Sequence, residues 1–371
     1  MKITRLETIF VKPRWLFLKM HTDEGLVGLG EPILEGRAQT VAAAVQEMGR
    51  FIIGMDPRRI EHNWQAVYRW QFYRGGPILT SALSGIEQAM WDILGKSLGQ
   101  PVYRLLGGPT RDKIRVYRHC GLQIVDERVP DAAAAVGQGF TAIKTGLAGP
   151  LRQVDTLARV QEFERRFAAL RETVGPSVDI AVDFHGVSSP AMSIRLAKAL
   201  EPYYPMFIEE PVLPGNVDEL ARVARSTTIP IATGERLFTK WDFREVIEKQ
   251  AAAILQPDLS HAGGISEVKK IAAMAECYYS SIAPHCPLGP IALAASLQLD
   301  AAIPNFLIQE FVSLGEGYLK EPFQVVEGYI PLPTKPGLGV ELDEEAVAEK
   351  VYDGSWEHTP SVHEDGSVAD F

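Results

Sequence analysis

The chain has 371 residues, 46% of them hydrophobic, and a formal net charge of −10, which is room for one large domain and a smaller companion in an ordinary globular composition. With no long Lys/Arg run, that charge excludes generic binding to a nucleic-acid backbone or an anionic membrane, and no apolar stretch is long enough to span a bilayer. An anionic substrate therefore needs a local source of positive charge, and a bound divalent cation is the simplest one.

The N-terminus, MKITRLETIFVKPRW, alternates polar and apolar residues and carries no signal-peptide pattern. Cys120, Cys277 and Cys286 are odd in number and lack CxxC spacing, against a disulfide framework or a structural zinc site. A cytoplasmic protein is the expectation.

In chain order, Lys2 to Val11 alternates, and Trp15–His21 and Leu26–Gly30 read as two strands around Asp23-Glu24-Gly25. Helical patterns follow over Arg37–Ile53, Arg58–Tyr68 and Leu79–Leu98, the last stopped by Gly99 with Pro101 beyond. Residues 1–112 thus read as an α+β domain.

From Ile114 short apolar runs alternate with amphipathic stretches, the texture of buried parallel strands between helices. Eight such runs are IRVYRHC (Ile114), FTAIKTG (Phe140), VDIAVDFHG (Val178), MFIEEP (Met206), IPIATGE (Ile229), AAILQPD (Ala252), SSIAPHC (Ser280) and FLIQEF (Phe306). Helix-like segments between them include Val154–Val174, Ala191–Leu200, Val217–Ala224 and Ser266–Ala275. Eight βα-like units predict an α/β fold of the TIM-barrel type over residues 113–320. Residues 321–371, with PLPTKPGLG and a polar tail, read as a segment returning to the first domain. Neither a GxGxxG after the first strand nor a GxxxxGK[ST] motif is present.

Asp183, Glu209, Glu235, Asp258, His285 and Glu310 lie at or near the ends of successive runs, at intervals of 26, 26, 23, 27 and 25 residues. In a parallel barrel the strand C-termini face one mouth, so residues of this period converge. Taken singly each is an ordinary strand-end carboxylate or structural histidine; together they mark a functional site. Asp183, Glu209 and Glu235 make an oxygen-only set suited to Mg²⁺ rather than zinc. His185, two residues after Asp183, would share its face of a strand and sit beside the metal. Asp258 would orient and activate His285 as a base. Lys144 would either meet a substrate carboxylate in the mouth or form a rim salt bridge. Glu310, if protonated, would hydrogen-bond a developing oxyanion, or else tie down a loop. His261, in SHAGGI, reads equally well as a loop residue.

These residues, with DEGLVGLGEP (Asp23), FYRGGPI (Phe72), AMWDILGK (Ala89), VDFHG (Val182), FIEEPV (Phe207), GERLF (Gly234), ILQPDLSHAGGI (Ile254), APHCPLGPIALAAS (Ala283) and TKPGLGVE (Thr334), resemble the enolase superfamily, mandelate racemase/muconate lactonizing enzyme branch, galactonate dehydratase family. The resemblance covers nearly the whole chain. It implies a modified TIM (β/α) barrel with an α+β capping domain built from both chain ends, one Mg²⁺ per subunit on Asp183, Glu209 and Glu235, and a homo-oligomer, often an octamer. It implies that His285, supported by Asp258, removes the C2 proton of a sugar acid, His185 protonates the departing 3-hydroxyl and Glu310 stabilises the enediolate, giving a 2-keto-3-deoxy acid. Racemisation or epimerisation of a 2-hydroxy acid is the alternative, and a non-catalytic homologue is disfavoured because every proton-transfer position is filled. The chain departs from the family at Gly146, where galactonate dehydratases carry Asn. Stereochemistry would be read by capping loops near Arg14, Trp15 and Tyr73.

Overall fold

The computed structural model describes residues 1–70, 72–120, 128–147, 149, 151–356 and 360–370, with residues 128 and 129 described by their backbone alone. Three antiparallel strands open the chain, β1 (Ile3–Val11), β2 (Trp15–Thr22) and β3 (Val27–Gly30), and three helices follow, α1 (Ala38–Ile52), α2 (Ile60–Arg69) and α3 (Gly76–Leu98). Helix α3 stops where Gly99 takes the left-handed conformation. It packs very close to β3: a Cβ on Gly30 would stand 2.0 Å from the Gly85 carbonyl oxygen, so glycine at position 30 is a condition of the contact, and a Cβ on Gly85 would in turn meet Pro32 just beyond the strand.

The barrel follows: α4 (Val102–Leu105), β4 (Lys113–Arg115), β5 (Arg118–His119), α5 (Arg128–Gly137), β6 (Ala142–Gly146), α6 (Leu157–Val174), β7 (Asp179–Asp183), α7 (Pro190–Leu200), β8 (Phe207–Glu209), α8 (Val217–Ala224), β9 (Ile231–Thr233), α9 (Thr239–Glu248), β10 (Ile254–Leu255), α10 (Ile265–Glu276), β11 (Ser281–Ile282) and α11 (Pro290–Ala302). Strands β5 to β11 form one curled parallel sheet in sequence order. The eighth run closes the ring with isolated parallel bridges, Phe306 to Ile282 and Gln309 to Val116, in place of a continuous strand. The first run is split: β4 turns away to pair with β12 (Tyr329–Pro331), while β5 joins the barrel.

A single packed cluster fills the lumen with one residue from each run, Tyr117, Ala142, Ala181, Phe207, Ala232, Ile254, Ala283 and Ile308. Large and small side chains share the layer, as a closed barrel of eight strands requires. The alternation of strands then decides the rest: Ile180 and Val182 face the helices, and Ala181 and Asp183 face the lumen. By the same parity Lys144 follows Ala142, Glu209 follows Phe207, His285 follows Ala283 and Glu310 follows Ile308 on the inner face.

The first domain sits over the barrel mouth and is fastened by buried carboxylates. Glu31 accepts hydrogen bonds from the Gly289 and Ala292 amides (2.7 and 2.9 Å) at the N-terminus of α11, and Glu87 accepts from the Ile265 and Ser266 amides (2.7 and 2.8 Å) at that of α10. Neither helix is capped by its own preceding residue, Gly264 or Gly289, so the orphan amides of both are satisfied from the other domain. Asp92 accepts from the Leu29 and Leu338 amides (2.9 and 2.8 Å) and so ties the returning C-terminal segment to α3. That segment, including α12 (Glu344–Ala348), continues to a bridge between Val351 and Val11. Among the described residues no helix is long and apolar enough to cross a membrane.

Gly264 has φ +89° and a Cβ there would lie 2.2 Å from Glu87 Oε2. Gly264→Ala should cost about 2–4 kcal/mol of stability through strain and a displaced cap, read as a lower denaturation midpoint. Burial raises the Glu31 carboxyl to about 8 against the lowering pull of the Ala292 and Gly289 amides. The folded chain therefore binds a proton there that the unfolded chain has already lost, so this group's contribution to stability falls as pH rises from about 4.5 to about 8. Glu31→Gln, which cannot ionise, should flatten the decline of the thermal midpoint across that interval.

Candidate active site

The lumen-facing strand ends bring most of the expected residues together. Lys144, at the end of β6, is buried, with Nζ 2.6 Å from Glu209 Oε1, 3.1 Å from Glu310 Oε1 and 3.3 Å from Asp183 Oδ2. Of its two alternatives, the rim salt bridge is excluded: it is the positive centre of a carboxylate cluster. Burial opposes its charge, but Glu209, Glu310 and Asp183 hold it well above the usual lysine range. Burial and the facing Asp183 push the Glu209 carboxyl well up, and burial raises that of Glu235.

His285 borders the same cluster. Its Nδ1 is 2.8 Å from Asp258 Oδ2, and its Nε2 is 3.4 Å from Glu235 Oε2 and 4.0 Å from Glu310 Oε2. Burial works against protonation, but Glu235, Glu310 and the Asp258 hydrogen bond together raise the imidazole to about 10. With Asp258 on Nδ1, Nε2 is the atom presented to the lumen.

His185 is placed by a different route from strand alternation. Strand β7 ends at Asp183, and His185 lies in a turn with φ +53°, a conformation rarely taken by a residue bearing Cβ. Its amide donates to Asp183 Oδ1 (2.8 Å) and its Nε2 is 3.3 Å from Asp183 Oδ2. Arg236 braces the turn, donating to the His185 carbonyl (3.4 Å) and to buried Glu210 through Nε (2.9 Å) and Nη2 (2.5 Å).

Glu310 differs from the expectation of a protonated donor. Burial disfavours its charge, yet Lys144, His285 and His119 hold its carboxyl well below the usual range, so it is an anion that accepts. Oε2 takes the Cys286 amide at 2.8 Å. His261 is a structural tie, with Nδ1 3.0 Å from Ser81 Oγ on α3 and Nε2 3.7 Å from Asp258 Oδ2. Trp15 is not in a capping loop: it lies buried in β2, stacked on Phe17 and packed on Tyr318, because an indole of that size has more to gain in the core than at a rim. Arg14 reaches the Pro287 carbonyl (3.2 Å) and pairs with Glu35, and Tyr73 is exposed. Gly146 ends β6 in register with Asp183 and presents no side chain to the site.

Two groups escaped the sequence reading. The Glu210–Arg236 pair lies one residue beyond Glu209 and Glu235 and shares their interval of 26, so it is hidden behind them. His119 has a periodic signal of its own: it ends β5, two residues after the lumen residue Tyr117 and 25 before Lys144.

Among the described residues no three acidic, histidine or cysteine side chains are gathered into a formed metal centre. The donor chemistry nonetheless fits a hard cation. Glu209 Oε2 and Glu235 Oε2 are buried oxygens without a hydrogen-bond partner, and three carboxylates from adjacent strands supply oxygen alone.

Residues 6–107 match the family described as mandelate racemase / muconate lactonizing enzyme, N-terminal domain, and residues 127–346 match enolase C-terminal domain-like. The chain belongs to the enolase superfamily, in its mandelate racemase/muconate lactonizing enzyme branch. Members of this branch similar to it along its whole length include D-galactonate dehydratases of Ralstonia pickettii (49% identical) and Cronobacter sakazakii (48%), each covered completely in both chains. Among solved structures, the superfamily member from Sulfitobacter sp. superposes with a TM-score of 0.91 at 36% identity, over 98% of this chain and all of that one. As a full-length member of this branch the chain is an enzyme, and its curled parallel sheet under an antiparallel cap is the superfamily's modified barrel.

Replacing Lys144 by Met should leave Glu209, Glu310 and Asp183 uncompensated and cost metal-free protein about 3–5 kcal/mol. Added Mg²⁺ should then raise the melting temperature of the variant by more than that of the wild type, in paired thermal scans.

Proposed function

We propose that this enzyme dehydrates an aldonate, D-galactonate or a close stereoisomer, to its 2-keto-3-deoxy acid with the aid of one bound Mg²⁺. The observation that carries the proposal is the placing of two imidazoles at one carboxylate cluster, His285 beside Glu235 and His185 beside Asp183. Full-length similarity to enzymes named D-galactonate dehydratase supports the same reading.

Asp183, Glu209 and Glu235 would hold the metal. When bound, it supplies Lewis-acid stabilisation of charge developing on the substrate carboxylate, without which a proton beside a carboxylate is too weakly acidic for an imidazole. With the charge of Glu235 offset in the loaded site, His285 gives up the proton that Glu235 and Glu310 otherwise hold on it, and its Nε2 takes the C2 proton, with Asp258 keeping the ring oriented and stabilising the imidazolium that forms. Electrons from the broken C2–H bond pass into the substrate carboxyl group, giving the enediolate, and return to form the C2–C3 double bond as the C3–O bond breaks. His185 delivers a proton to that oxygen, so water leaves rather than hydroxide. The resulting enol tautomerises to the 2-keto acid. Lys144 contributes a positive charge beside Glu209 and Asp183, and Glu310 stands next to it at the mouth, in place to stabilise the enediolate. Gly146 leaves open a place where the galactonate dehydratase pattern carries a polar side chain, so a stereoisomer of galactonate is a substrate of equal standing.

The test is a panel of aldonates with Mg²⁺, scored for 2-keto-3-deoxy product, with NMR in D₂O for C2 exchange. Dehydration of galactonate or a stereoisomer is expected. Inversion at C2 without loss of water would transfer the enzyme to the racemase class. His285→Asn should lower both exchange and dehydration by at least about 10³-fold, whereas His185→Asn should retain exchange and lose dehydration by a factor on the order of 10²–10⁴.

A further inference from the structure

His119 occupies a position in the site that the reaction just described leaves unused. Its ring rests edge-on against Tyr117, with centroids 5.5 Å apart and planes at 67°. Its neighbour across the sheet is Lys144, in register. Nε2 is 2.9 Å from Glu310 Oε1, the same oxygen that Lys144 approaches to 3.1 Å. The ring is turned off the line of a straight hydrogen bond, so it constrains that oxygen by close polar contact. The other oxygen of Glu310 takes the Cys286 amide and looks toward His285 Nε2. One carboxylate thus stands between two imidazoles, and His285 is anchored at its far nitrogen by Asp258.

A carboxylate can swing about its terminal torsion, which is broad. Glu310 is prevented from doing so by partners on both oxygens: Lys144 and His119 on Oε1, the Cys286 amide on Oε2. Lys144 cannot fix that angle alone, because its ammonium is shared with Glu209 and Asp183. Among the described residues His119 pairs with no carboxylate but Glu310, and it approaches from the neighbouring strand.

We propose that His119 is a positioning residue for proton abstraction: by holding Oε1 of Glu310 it fixes the direction in which Oε2 faces His285 Nε2, and so sets the rate at which the C2 proton leaves without touching the substrate. This rests on the reading of His285 as the base.

The test compares His119→Phe, which keeps a ring against Tyr117 but has no polar atom, with His119→Gln, which keeps a donor, each alone and with Glu310→Gln, on Mg²⁺-loaded enzyme. Expected are a roughly 10- to 100-fold loss of C2 exchange and kcat in His119→Phe with KM within about 3-fold, substantial recovery in His119→Gln, and no further loss when His119→Phe is added to Glu310→Gln. In parallel, ¹⁵N NMR of the histidine rings should show the His285 signals displaced by His119→Phe but unmoved by the same change in the Glu310→Gln background. A rise in KM at unchanged kcat would overturn the proposal in favour of direct substrate contact. Equal effects of His119→Phe with and without Glu310 would also overturn it. If the wild type turns over no aldonate, the proposed substrate falls and the ring signals decide alone: displacement through Glu310 sustains the positioning role, and an unmoved His285 ends it.

Discussion

The structure is organised around a cost. Asp183, Glu209, Glu235, Asp258 and Glu310 meet at the mouth of a closed barrel whose lumen below is filled by Tyr117, Phe207, Ile254 and Ile308, with water on no side of the cluster's floor. Like charges in such a place repel and are poorly solvated. Lys144 offsets part of that repulsion among three of them, His285 is drawn into its protonated form by two others, and the orphan oxygens of Glu209 and Glu235 show where compensation within the protein is incomplete. A site left electrostatically short of positive charge is prepared for a cation and for a reaction that passes through negative charge.

That arrangement holds only if the barrel mouth is kept in shape, and the capping domain does this by polar means. Its carboxylates Glu31 and Glu87 terminate barrel helices α11 and α10, and Gln88 of α3 donates to the Leu259 carbonyl and Ser260 hydroxyl just beyond Asp258. Ser81, on the same helix, meets His261. Helix α3 therefore braces the loop that carries Asp258, the partner of His285. The rigidity of the base and the docking of the cap share one set of hydrogen bonds.

Much of this was legible in the sequence because two periodicities coincide. Alternation within each run separates lumen from helix side, and the recurrence of charged residues every 23 to 27 positions places one at each strand end. The failures have local causes. Glu235 follows Gly234 at φ +148°, and His185 sits at φ +53°, so both reach the site through backbone conformations that alternation does not describe. The eighth run closes the barrel with two bridges, not a strand. His119 kept the period but is separated from Asp183 by a longer interval than the others, and a histidine next to Arg118 gives no sign of its charge partner 191 residues later. The helix caps supplied by Glu31 and Glu87 are illegible for the same reason: a cap is normally sought one residue before its helix, not on another domain.

The capping of α10 and α11 from another domain has a consequence for how such enzymes can be recombined. A capping domain grafted from a relative would have to bring carboxylates of the right reach, and the recipient barrel would have to offer glycine at the matching helix starts, since a Cβ at Gly264 or Gly289 occupies the space of the incoming oxygens. The two halves form a matched lock, so new substrate preferences in this architecture are reached more readily by altering residues that do not carry the lock, such as Tyr73 or Gly146, than by exchanging whole domains.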